Sequence, residues 1–337
     1  MRVGIIGAGE IATRAHLPAL TSIEGIEISS IADIDLEKAR RVAKKFKIRS
    51  YYRDYHDLLK MNLDFVSICV PTPLHKEVAV EAARSGKHIL IEKPLALTVN
   101  DGRAISEALK ETGVKLSVVQ NYRYFNAIQE MKRRVDSGRL GRLVSLIGVA
   151  HTKCPMSWTR SRWLYHFGGA LDDFAPHLFD LICLFANSNP KRINAYGSCL
   201  QSAGFIDHVN VSINFENNIV ANADISWVIG KSSFSLNVYG TGGVLSTEVM
   251  SNNYREIHGT DNPYFEFRDL ANKSIKMLKE IIRGELFRGA LRFYPIVYRD
   301  FINSIEKNSD PPVGIDEAMK VVLILDEARQ QIKTYCQ

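Results

Sequence analysis

A glycine-rich turn close to the N-terminus constrains this chain more than any other feature. Gly7-Ala8-Gly9-Glu10-Ile11-Ala12 follows a short β-branched run and opens an amphipathic segment. In a strand–turn–helix unit, the first glycine permits the tight turn, the second lets a pyrophosphate approach the backbone, and a small sixth residue allows close helix packing. The phosphates then lie at a helix N-terminus. A purely structural glycine turn is the alternative. The turn predicts dinucleotide binding through Gly7, Gly9, Glu10, Ile11 and Ala12.

The pattern behind this turn divides the chain into two halves. Up to about residue 120, short β-branched runs alternate with amphipathic segments, which is typical of βαβ units and a doubly wound parallel sheet. Beyond Arg139 the predicted strands are longer, and turn residues separate them, which favours an antiparallel sheet followed by helices. The predicted fold class is α/β, with a parallel N-terminal sheet and a C-terminal α+β domain. The predicted domains are residues 1–121 and 122–337.

The same patterns predict the individual elements. The first half has strands at 3–6, 26–32, 65–70, 88–91 and 115–119. Its helices are at 12–22, 36–46, 76–85 and 99–112. The second half has strands at 144–151, 192–199, 208–215, 220–227, 234–239 and 243–247. Its helices are at 275–283, 294–307 and 316–334, and a further helix is predicted at the boundary, within 121–142.

Composition excludes several classes of protein. Hydrophobic residues make up 46% of the 337 residues and charged residues 24%, which is the balance of a globular protein. The net charge of +6 is spread along the chain, so it favours an anionic small ligand rather than nucleic acid. No stretch approaches the roughly 18 apolar residues of a membrane span, and glycines appear too early for a secretory signal, which predicts a cytoplasmic protein. Five scattered cysteines predict neither a disulfide framework nor a clustered metal site.

An acidic residue follows the second predicted strand at the position that a nucleotide ribose requires. Asp33 lies about 20 residues beyond the glycine turn, where a carboxylate accepts hydrogen bonds from both ribose hydroxyls and repels a 2′-phosphate. The predicted cofactor is therefore NAD, and NADP is disfavoured. Alternatively, Asp33 or Asp35 only caps the next helix, a role that suits Asp35 better. The basic residues from Lys38 to Lys47 are interpreted as the solvated face of that helix.

Two further segments follow predicted parallel strands, at the edge where open α/β sheets place ligands. Pro71-Thr72-Pro73-Leu74-His75 follows the third strand, and Glu92-Lys93-Pro94 follows the fourth. A lysine at the carboxyl end of a strand, between an acid and a proline, is poorly explained by packing alone. We therefore expect Lys93 to serve chemistry, and a salt bridge to Glu92 or another acid is the alternative.

A third cluster lies in a segment predicted to form one helix from about Gly168 onward. Asp173, His177 and Asp180 are spaced four and three residues apart, so they share one face of that helix, opposite an apolar stripe. Such a polar stripe can present an imidazole and a carboxylate to one ligand. A half-buried histidine with a capping aspartate is the alternative.

Together these motifs resemble the Gfo/Idh/MocA family, the enzymes similar to glucose-fructose oxidoreductase and inositol dehydrogenase. The resemblance spans nearly the whole chain and rests on the order and spacing of the motifs. The motifs are GAGEIA with His16-Leu17-Pro18-Ala19-Leu20, Thr72-Pro73 with His75, Glu92-Lys93-Pro94, Arg123, and Gly168-Gly169-Ala170 with Asp173, His177 and Asp180. The family usually has glycines where Ala170 and Ala175 stand here. The resemblance implies a Rossmann domain followed by a domain with an open, mainly antiparallel sheet.

The resemblance also implies roles for individual residues. Lys93 would touch the reacting oxygen, His177 would act as acid and base, and Asp173 would position the substrate or tune the pair. Removal of a hydride from a carbinol carbon needs a base for the hydroxyl proton and a cation at the oxygen, and His177 and Lys93 fit those roles without a metal ion. The residues implied to lie along the cofactor are Thr72, Pro73, His75, Glu92 and Lys93.

The segment before Gly168 is rich in aromatic and basic residues. Aromatic rings stack on sugar rings and arginines hold carboxylate or phosphate, which favours a polyhydroxylated substrate, including anionic ones. A surface loop anchored by its tryptophans is the alternative. The residues of this segment are Trp158, Arg160, Arg162, Trp163, Tyr165 and His166. The residues predicted to contact the substrate are Arg123, Trp163, Asp173 and His177.

The sequence therefore predicts an NAD(P)-dependent oxidoreductase that acts on a secondary alcohol or ketone of a sugar, sugar acid, nucleotide sugar or cyclitol. An enzyme for a non-sugar substrate, of the dihydrodiol or biliverdin type, is one alternative. A non-catalytic NAD(P)-sensing regulator is another, but such a protein could lose Lys93 and His177, which are both present. Because no helix obviously covers one face of the C-terminal sheet, an apolar open face predicts a homodimer or homotetramer. No nucleic-acid or membrane partner is predicted.

Overall fold

The computed structural model describes residues 1–154, 169–201, 205–251, 253–258 and 289–332. The chain divides into two compact units. One comprises Met1–Asn121 and Leu291–Val322, and the other comprises Tyr122–Ala290 and Leu323–Gln337.

The first unit contains a six-stranded parallel sheet. Its strands follow the order β3-β2-β1-β4-β5-β6. The strand order therefore reverses between β1 and β4, and open α/β sheets bind ligands at such a point. Val3, Ile5 and Phe65 are fully buried, as expected for strands covered on both faces. This architecture confirms the predicted doubly wound Rossmann sheet. The strands are β1 (Arg2–Ile6), β2 (Glu27–Ala32), β3 (Ser50–Tyr52), β4 (Phe65–Ile68), β5 (His88–Ile91) and β6 (Leu116–Val118).

Side-chain caps define where the helices of this unit begin. Asp35 accepts a hydrogen bond from the Lys38 N–H at 3.0 Å, and Thr98 accepts one from the Asp101 N–H at 3.1 Å. Asp35, rather than Asp33, is therefore the cap of its helix. A short π-helical segment, Ala12–His16, leads into the first helix. The helices are α1 (Leu17–Thr21), α2 (Leu36–Phe46), α3 (Tyr55–Leu59), α4 (His75–Arg84) and α5 (Val99–Thr112).

The second unit contains a seven-stranded mixed sheet in the order β13-β12-β11-β7-β10-β9-β8. Among the described strands of this sheet, only β7 and β10 form a parallel pair, so the sheet is mainly antiparallel, as predicted. The strands are β7 (Leu143–His151), β8 (Pro190–Ser198), β9 (His208–Phe215), β10 (Val220–Ser226), β11 (Ser233–Gly240), β12 (Gly243–Glu248) and β13 (Asn253–His258). The helices are α6 (Asn126–Asp136), α7 (Ala170–Asp173) and α8 (Ala175–Ala186).

The two faces of this sheet differ in polarity. On one face, Leu146 and Ala150 are buried, and Leu178 of α8 packs so closely on Gly148 that a Cβ there would lie 2.6 Å from its side chain. The opposite face exposes Ile147 and Tyr196 among serine, asparagine, aspartate and histidine side chains. This face is therefore apolar only in part, and the homodimer or homotetramer stays a prediction.

Two helices near the C-terminus complete the described chain, namely α9 (Tyr294–Glu306) and α10 (Ile315–Ile332). The predicted division placed residues 291–322 in the second domain, whereas the structure places them in the first unit. The reason is packing: Phe301 of α9 contacts Phe65 of β4 ring to ring at 5.7 Å, and the Val118 N–H donates to the Val313 carbonyl.

The helix predicted from Gly168 is interrupted. In the structure α7 ends at Asp173 and α8 begins at Ala175, so Asp173 does not share a helix with His177 and Asp180. Pro176 explains the break, because proline has no N–H to donate to the carbonyl four residues earlier. The sequence patterns also missed β3, α3 and β13. The predicted helix at 275–283 lies outside the described residues.

The described residues bear on the predictions for membrane spans, metal sites and disulfides. No helix among these residues is long and apolar enough to cross a membrane. The same part of the chain contains no group of three or more histidine, cysteine, aspartate or glutamate side chains that could hold a metal ion. Cys69 and Cys183 are buried thiols, whereas Cys199 is disulfide-bonded, which the scattered cysteines did not predict.

Candidate active site

The glycine turn connects β1 to the first helix, and its two glycines answer to different constraints. Gly7 has φ +100°, and a Cβ there would lie 2.7 Å from the Cys69 carbonyl oxygen, so the protein itself requires glycine. A Cβ at Gly9 would meet nothing within 4 Å. The open space at Gly9 therefore fits a pyrophosphate that approaches the backbone. Glu10 is exposed, Ile11 is half-buried and Ala12 is fully buried against the sheet.

Asp33 lies beside this turn at the end of β2. Its Oδ2 accepts hydrogen bonds from the Ala8 N–H at 2.8 Å and from the Lys38 ammonium at 3.1 Å, and its Oδ1 accepts one from the Asp35 N–H at 3.0 Å. The position fits a carboxylate that contacts an adenosine ribose. Lys38 was expected on the solvated face of α2, but it forms an ion pair with this acid instead.

The segment after β4 carries Thr72, Pro73 and His75. Thr72 is buried at the start of a short 3₁₀ helix, Thr72–Leu74, and Pro73 is exposed. His75 is fully buried, with Nδ1 2.8 Å from the Pro94 carbonyl oxygen and Nε2 3.0 Å from that of Val70, and burial lowers its pKa. Its ring thus connects the segments that follow β4 and β5, and its position along a cofactor stays a prediction.

Glu92, at the end of β5, is a buried carboxylate with three described donors. Its Oε1 accepts hydrogen bonds from His16 Nε2 at 2.9 Å and from the Tyr294 hydroxyl at 2.7 Å, and its Oε2 accepts one from the Lys93 N–H at 3.2 Å. Burial alone raises the pKa of Glu92, but His16, Tyr294 and Lys93 outweigh it and bring the pKa to about 2. Glu92 is therefore ionised at neutral pH.

Lys93 follows directly and is half-buried. Its backbone N–H donates the hydrogen bond to Glu92 Oε2, and the peptide bond between Lys93 and Pro94 is cis. Among the described ion pairs, Glu92 pairs with His16 and not with the Lys93 ammonium. Within the first unit, the glycine turn, Asp33, Glu92 and Lys93 therefore all follow the carboxyl ends of parallel strands.

In the second unit, Arg123 and Asp180 form a buried bidentate ion pair. The Arg123 Nε and Nη2 atoms donate to the two carboxylate oxygens of Asp180, each at 2.7 Å. Arg123 was predicted to bind substrate, and Asp180 was predicted to share a ligand-facing stripe. In the structure the two side chains pair with one another, which links the segment before α6 to helix α8, and contact of Arg123 with a substrate stays a prediction.

His177 and Asp173 lie close to the same aromatic ring. The imidazole of His177 stacks on Tyr122, with ring centroids 4.2 Å apart and 7° between the planes. Burial and the nearby Asp173 raise the pKa of the Tyr122 hydroxyl. Tyr122 is therefore in ring contact with His177 and within the influence of the Asp173 charge, and the catalytic roles of both residues stay predictions. Trp163 and the rest of the segment from Trp158 to His166 lie outside the described residues.

Several site residues were missed in the sequence. The sequence motifs assign no role to His16, and the sequence pattern predicts only a helix around Tyr294 and Tyr298. Asp172 forms a buried ion pair with Arg329 at 2.6 Å, directly before Asp173. No local pattern marks these residues, because their partners lie 51 or more positions away in the chain.

Comparison with known proteins decides the family. Residues 1–120 match the family described as "Oxidoreductase family, NAD-binding Rossmann fold", and residues 128–246 match the "GFO/IDH/MocA C-terminal domain". D-apiose dehydrogenase from Paraburkholderia graminis is 30% identical over 268 residues, which cover 76% of this chain and 69% of that protein. The chain belongs to the Gfo/Idh/MocA family. Its first unit is accordingly an NAD(P)-binding Rossmann domain.

Other members of the family match over nearly the whole chain. Myo-inositol 2-dehydrogenase from Thermotoga maritima is 26% identical, with 98% of this chain and 96% of that protein covered. Among solved structures, the WlbA dehydrogenase from Bordetella pertussis, in complex with NADH and UDP-GlcNAcA, superposes with a TM-score of 0.83 at 20% identity. That match covers 98% of this chain and 96% of the other, and supports the Gfo/Idh/MocA fold in both units.

The two glycines of the turn give opposite predictions. Gly7→Ala should destabilise the protein by about 1 to 3 kcal/mol, because alanine is strained at this φ and meets the Cys69 carbonyl. Gly9→Ala should leave the urea unfolding midpoint unchanged but weaken NADH binding, measured by nicotinamide fluorescence, because its Cβ fills open space. Equal NADH affinity in Gly9→Ala and the unaltered protein would contradict a pyrophosphate at this turn.

Asp33 predicts tighter binding of NADH than of NADPH, because its carboxylate repels a 2′-phosphate. Asp33→Ser should shift the ratio of the two dissociation constants toward NADPH by about tenfold, equivalent to about 1.4 kcal/mol. Part of the shift comes from Lys38, which loses its carboxylate partner in this variant and can pair with phosphate.

Exposed Lys44 on the same helix supplies the control for this measurement. In the Asp33→Ser background, Lys38→Ala should remove part of the gain in NADPH affinity, whereas Lys44→Ala should not. Tighter binding of NADPH than of NADH by the unaltered protein would refute the preference.

Proposed function

We propose that this protein is an NAD-dependent dehydrogenase that interconverts a secondary alcohol and a ketone on a sugar, sugar acid, nucleotide sugar or cyclitol. The observation that carries the proposal is Lys93, which directly follows the buried, ionised Glu92 at the end of β5. The names of the relatives support it, since they include dehydrogenases of inositol and apiose. The proposed division of labour assigns cofactor binding to residues 1–121 and substrate binding to the second domain.

The proposed chemistry assigns one task to each of three side chains. NAD, when bound, supplies the hydride acceptor. The Lys93 ammonium donates a hydrogen bond to the carbinol oxygen and stabilises the charge that grows there as the C–H bond breaks. His177 takes the hydroxyl proton on an imidazole nitrogen, and Asp173 supports the cation that forms. In the reverse direction, His177 returns the proton to the carbonyl oxygen.

Among the proposed substrate contacts, Arg123 differs from the others because it has a buried carboxylate partner. Arg123 pairs with Asp180, so we assign it to positioning of α8, the helix that carries His177. His177 and Asp173 remain the proposed contacts of the second unit, and Trp163 remains one by its sequence alone. The stack of Tyr122 on His177 restricts the imidazole to one plane, which suits transfer of a proton along a fixed direction.

Two alternatives make different predictions. An enzyme for a non-sugar substrate, of the dihydrodiol or biliverdin type, would oxidise or reduce that substrate in place of polyols. A non-catalytic NAD(P)-sensing regulator would bind NADH without turnover of any compound. Measurement of nicotinamide absorbance with a panel of sugars, sugar acids, nucleotide sugars and cyclitols separates all three.

Substitution of the two proposed catalytic residues tests the chemistry. With the substrate found in that panel, Lys93→Ala or His177→Ala should lower kcat by about 10²-fold or more, the usual size of an acid/base contribution. NADH affinity should change little. Because both side chains act on the same carbinol group, the double variant should lose much less than the product of the two single losses.

Matched controls exist for both side chains. Lys76→Ala removes a lysine that pairs with Asp101, and His151→Ala removes a histidine that pairs with Asp224, so neither should change kcat appreciably. If the Lys93 and His177 variants only melt at lower temperature while the folded protein turns over normally, the proposed roles are wrong.

A further inference from the structure

A buried polar cluster beside Lys93 has no task in the chemistry above. Its members come from four separate segments: the π-helical segment after the glycine turn, β4, the end of β5, and α9. All of them belong to the first unit. We call this set the His16 cluster, and its members are His16, Ser67, Glu92, Tyr294 and Tyr298.

The imidazole of His16 is the centre of this cluster. Its Nε2 lies 2.9 Å from Glu92 Oε1, and its Nδ1 lies 2.7 Å from the Tyr298 hydroxyl and 2.9 Å from Ser67 Oγ. The ring is fully buried and has edge contacts with the rings of Tyr294 and Tyr298, at 4.9 and 5.8 Å. Both ring nitrogens thus have partners, and the surrounding packing prevents the ring from turning away.

Glu92 transmits this arrangement to the main chain of Lys93. Its Oε1 accepts hydrogen bonds from His16 and Tyr294, while its Oε2 accepts one from the Lys93 N–H. A carboxylate can accept several hydrogen bonds at once, whereas a protonated carboxyl must donate one. Protonation of Oε1 would displace the donors His16 and Tyr294 and so weaken the hold of Glu92 on Lys93, although Oε2 would still accept a hydrogen bond.

His16 and Glu92 each favour the charged form of the other. Burial lowers the pKa of His16, but Cys69, Tyr298 and Glu92 raise it, and the net direction is well above the ordinary value. Tyr298 has a pKa raised to about 12 by burial and is neutral at pH 7, whereas the Glu92 carboxylate lies 2.9 Å from His16 Nε2 and adds to the effect of Cys69 in favouring the protonated ring. The titratable and charged groups that face the pair are Cys69, His75, Lys93, Tyr294 and Tyr298.

We propose that His16 is a positioning residue for Lys93: its buried imidazolium holds the Glu92 carboxylate, which in turn fixes the backbone of Lys93. The proposal rests on the proposed function, because it assumes that Lys93 acts on the substrate oxygen. Removal of the cation should leave a buried carboxylate without its counterion. Such a group takes up a proton as the pH falls, because desolvation disfavours its charged form.

His16→Gln tests the proposal, because glutamine keeps a donor but cannot carry the charge. Its kcat at pH 8 should fall about tenfold or more as Lys93 loses its fixed position, with little change in KM. Between about pH 8 and pH 5, log kcat for alcohol oxidation should fall more steeply than in the unaltered enzyme, because Glu92 now takes up a proton in addition to His177.

A second variant assigns the extra proton. In His16→Gln/Glu92→Gln the added steepness should disappear, because no carboxylate remains to titrate. Phe301→Leu is the matched packing control. Phe301 lies on α9 and contacts Phe65, so the substitution loosens the packing of α9 without removing a polar partner. A His16→Gln enzyme whose kcat falls by one factor at every pH, as in Phe301→Leu, would overturn the proposal.

A measurement without turnover tests the ion pair itself. Nitrogen NMR of the His16 imidazole should show both ring nitrogens protonated above pH 7 in the unaltered protein. In Glu92→Gln the pKa of the imidazole should fall, because the ring loses its carboxylate partner while burial still disfavours its charged form. A neutral His16 in the unaltered protein would overturn the proposal even if the enzyme turns over. Absence of turnover with every compound of the panel would refute the proposed function and the positioning role together, whatever the NMR shows.

Discussion

The first unit depends on one buried carboxylate at the end of a parallel strand. Burial of an isolated carboxylate costs several kcal/mol, so Glu92 is tolerated only because His16, Tyr294 and the Lys93 N–H surround it with donors. These donors come from both ends of the chain. The need for donors around this charge, together with the packing of Phe301 on Phe65, therefore explains why α9 belongs to the first unit.

Buried ion pairs adjoin each proposed catalytic residue. Lys93 follows Glu92, Asp173 follows Asp172, which pairs with Arg329, and His177 lies three residues before Asp180, which pairs with Arg123. Such pairs contribute little net stability, because desolvation offsets the attraction, but their geometry is strict. The chain thus places its proposed catalytic side chains beside groups that tolerate little movement.

Local patterns in the sequence predicted the parts of this structure that local physics determines. The glycine turn, the alternating strands of the second sheet and the Asp35 cap were all evident, because each depends on a few neighbouring residues. The partners of His16 and Asp172 were not, since they lie far away in sequence and meet only after folding. The break at Pro176 could have been predicted, because proline cannot continue the hydrogen-bond ladder of the predicted helix.

The most direct test of the central claim follows the hydride itself. A polyol that the enzyme oxidises is labelled with deuterium at the reacting carbon and incubated with NAD, and the reduced cofactor is examined by mass spectrometry. Dehydrogenation predicts that the deuterium moves to the nicotinamide ring, so the reduced cofactor gains the mass of one deuterium in place of hydrogen. Unlabelled reduced cofactor, or no reduced cofactor with any polyol tested, would contradict the account.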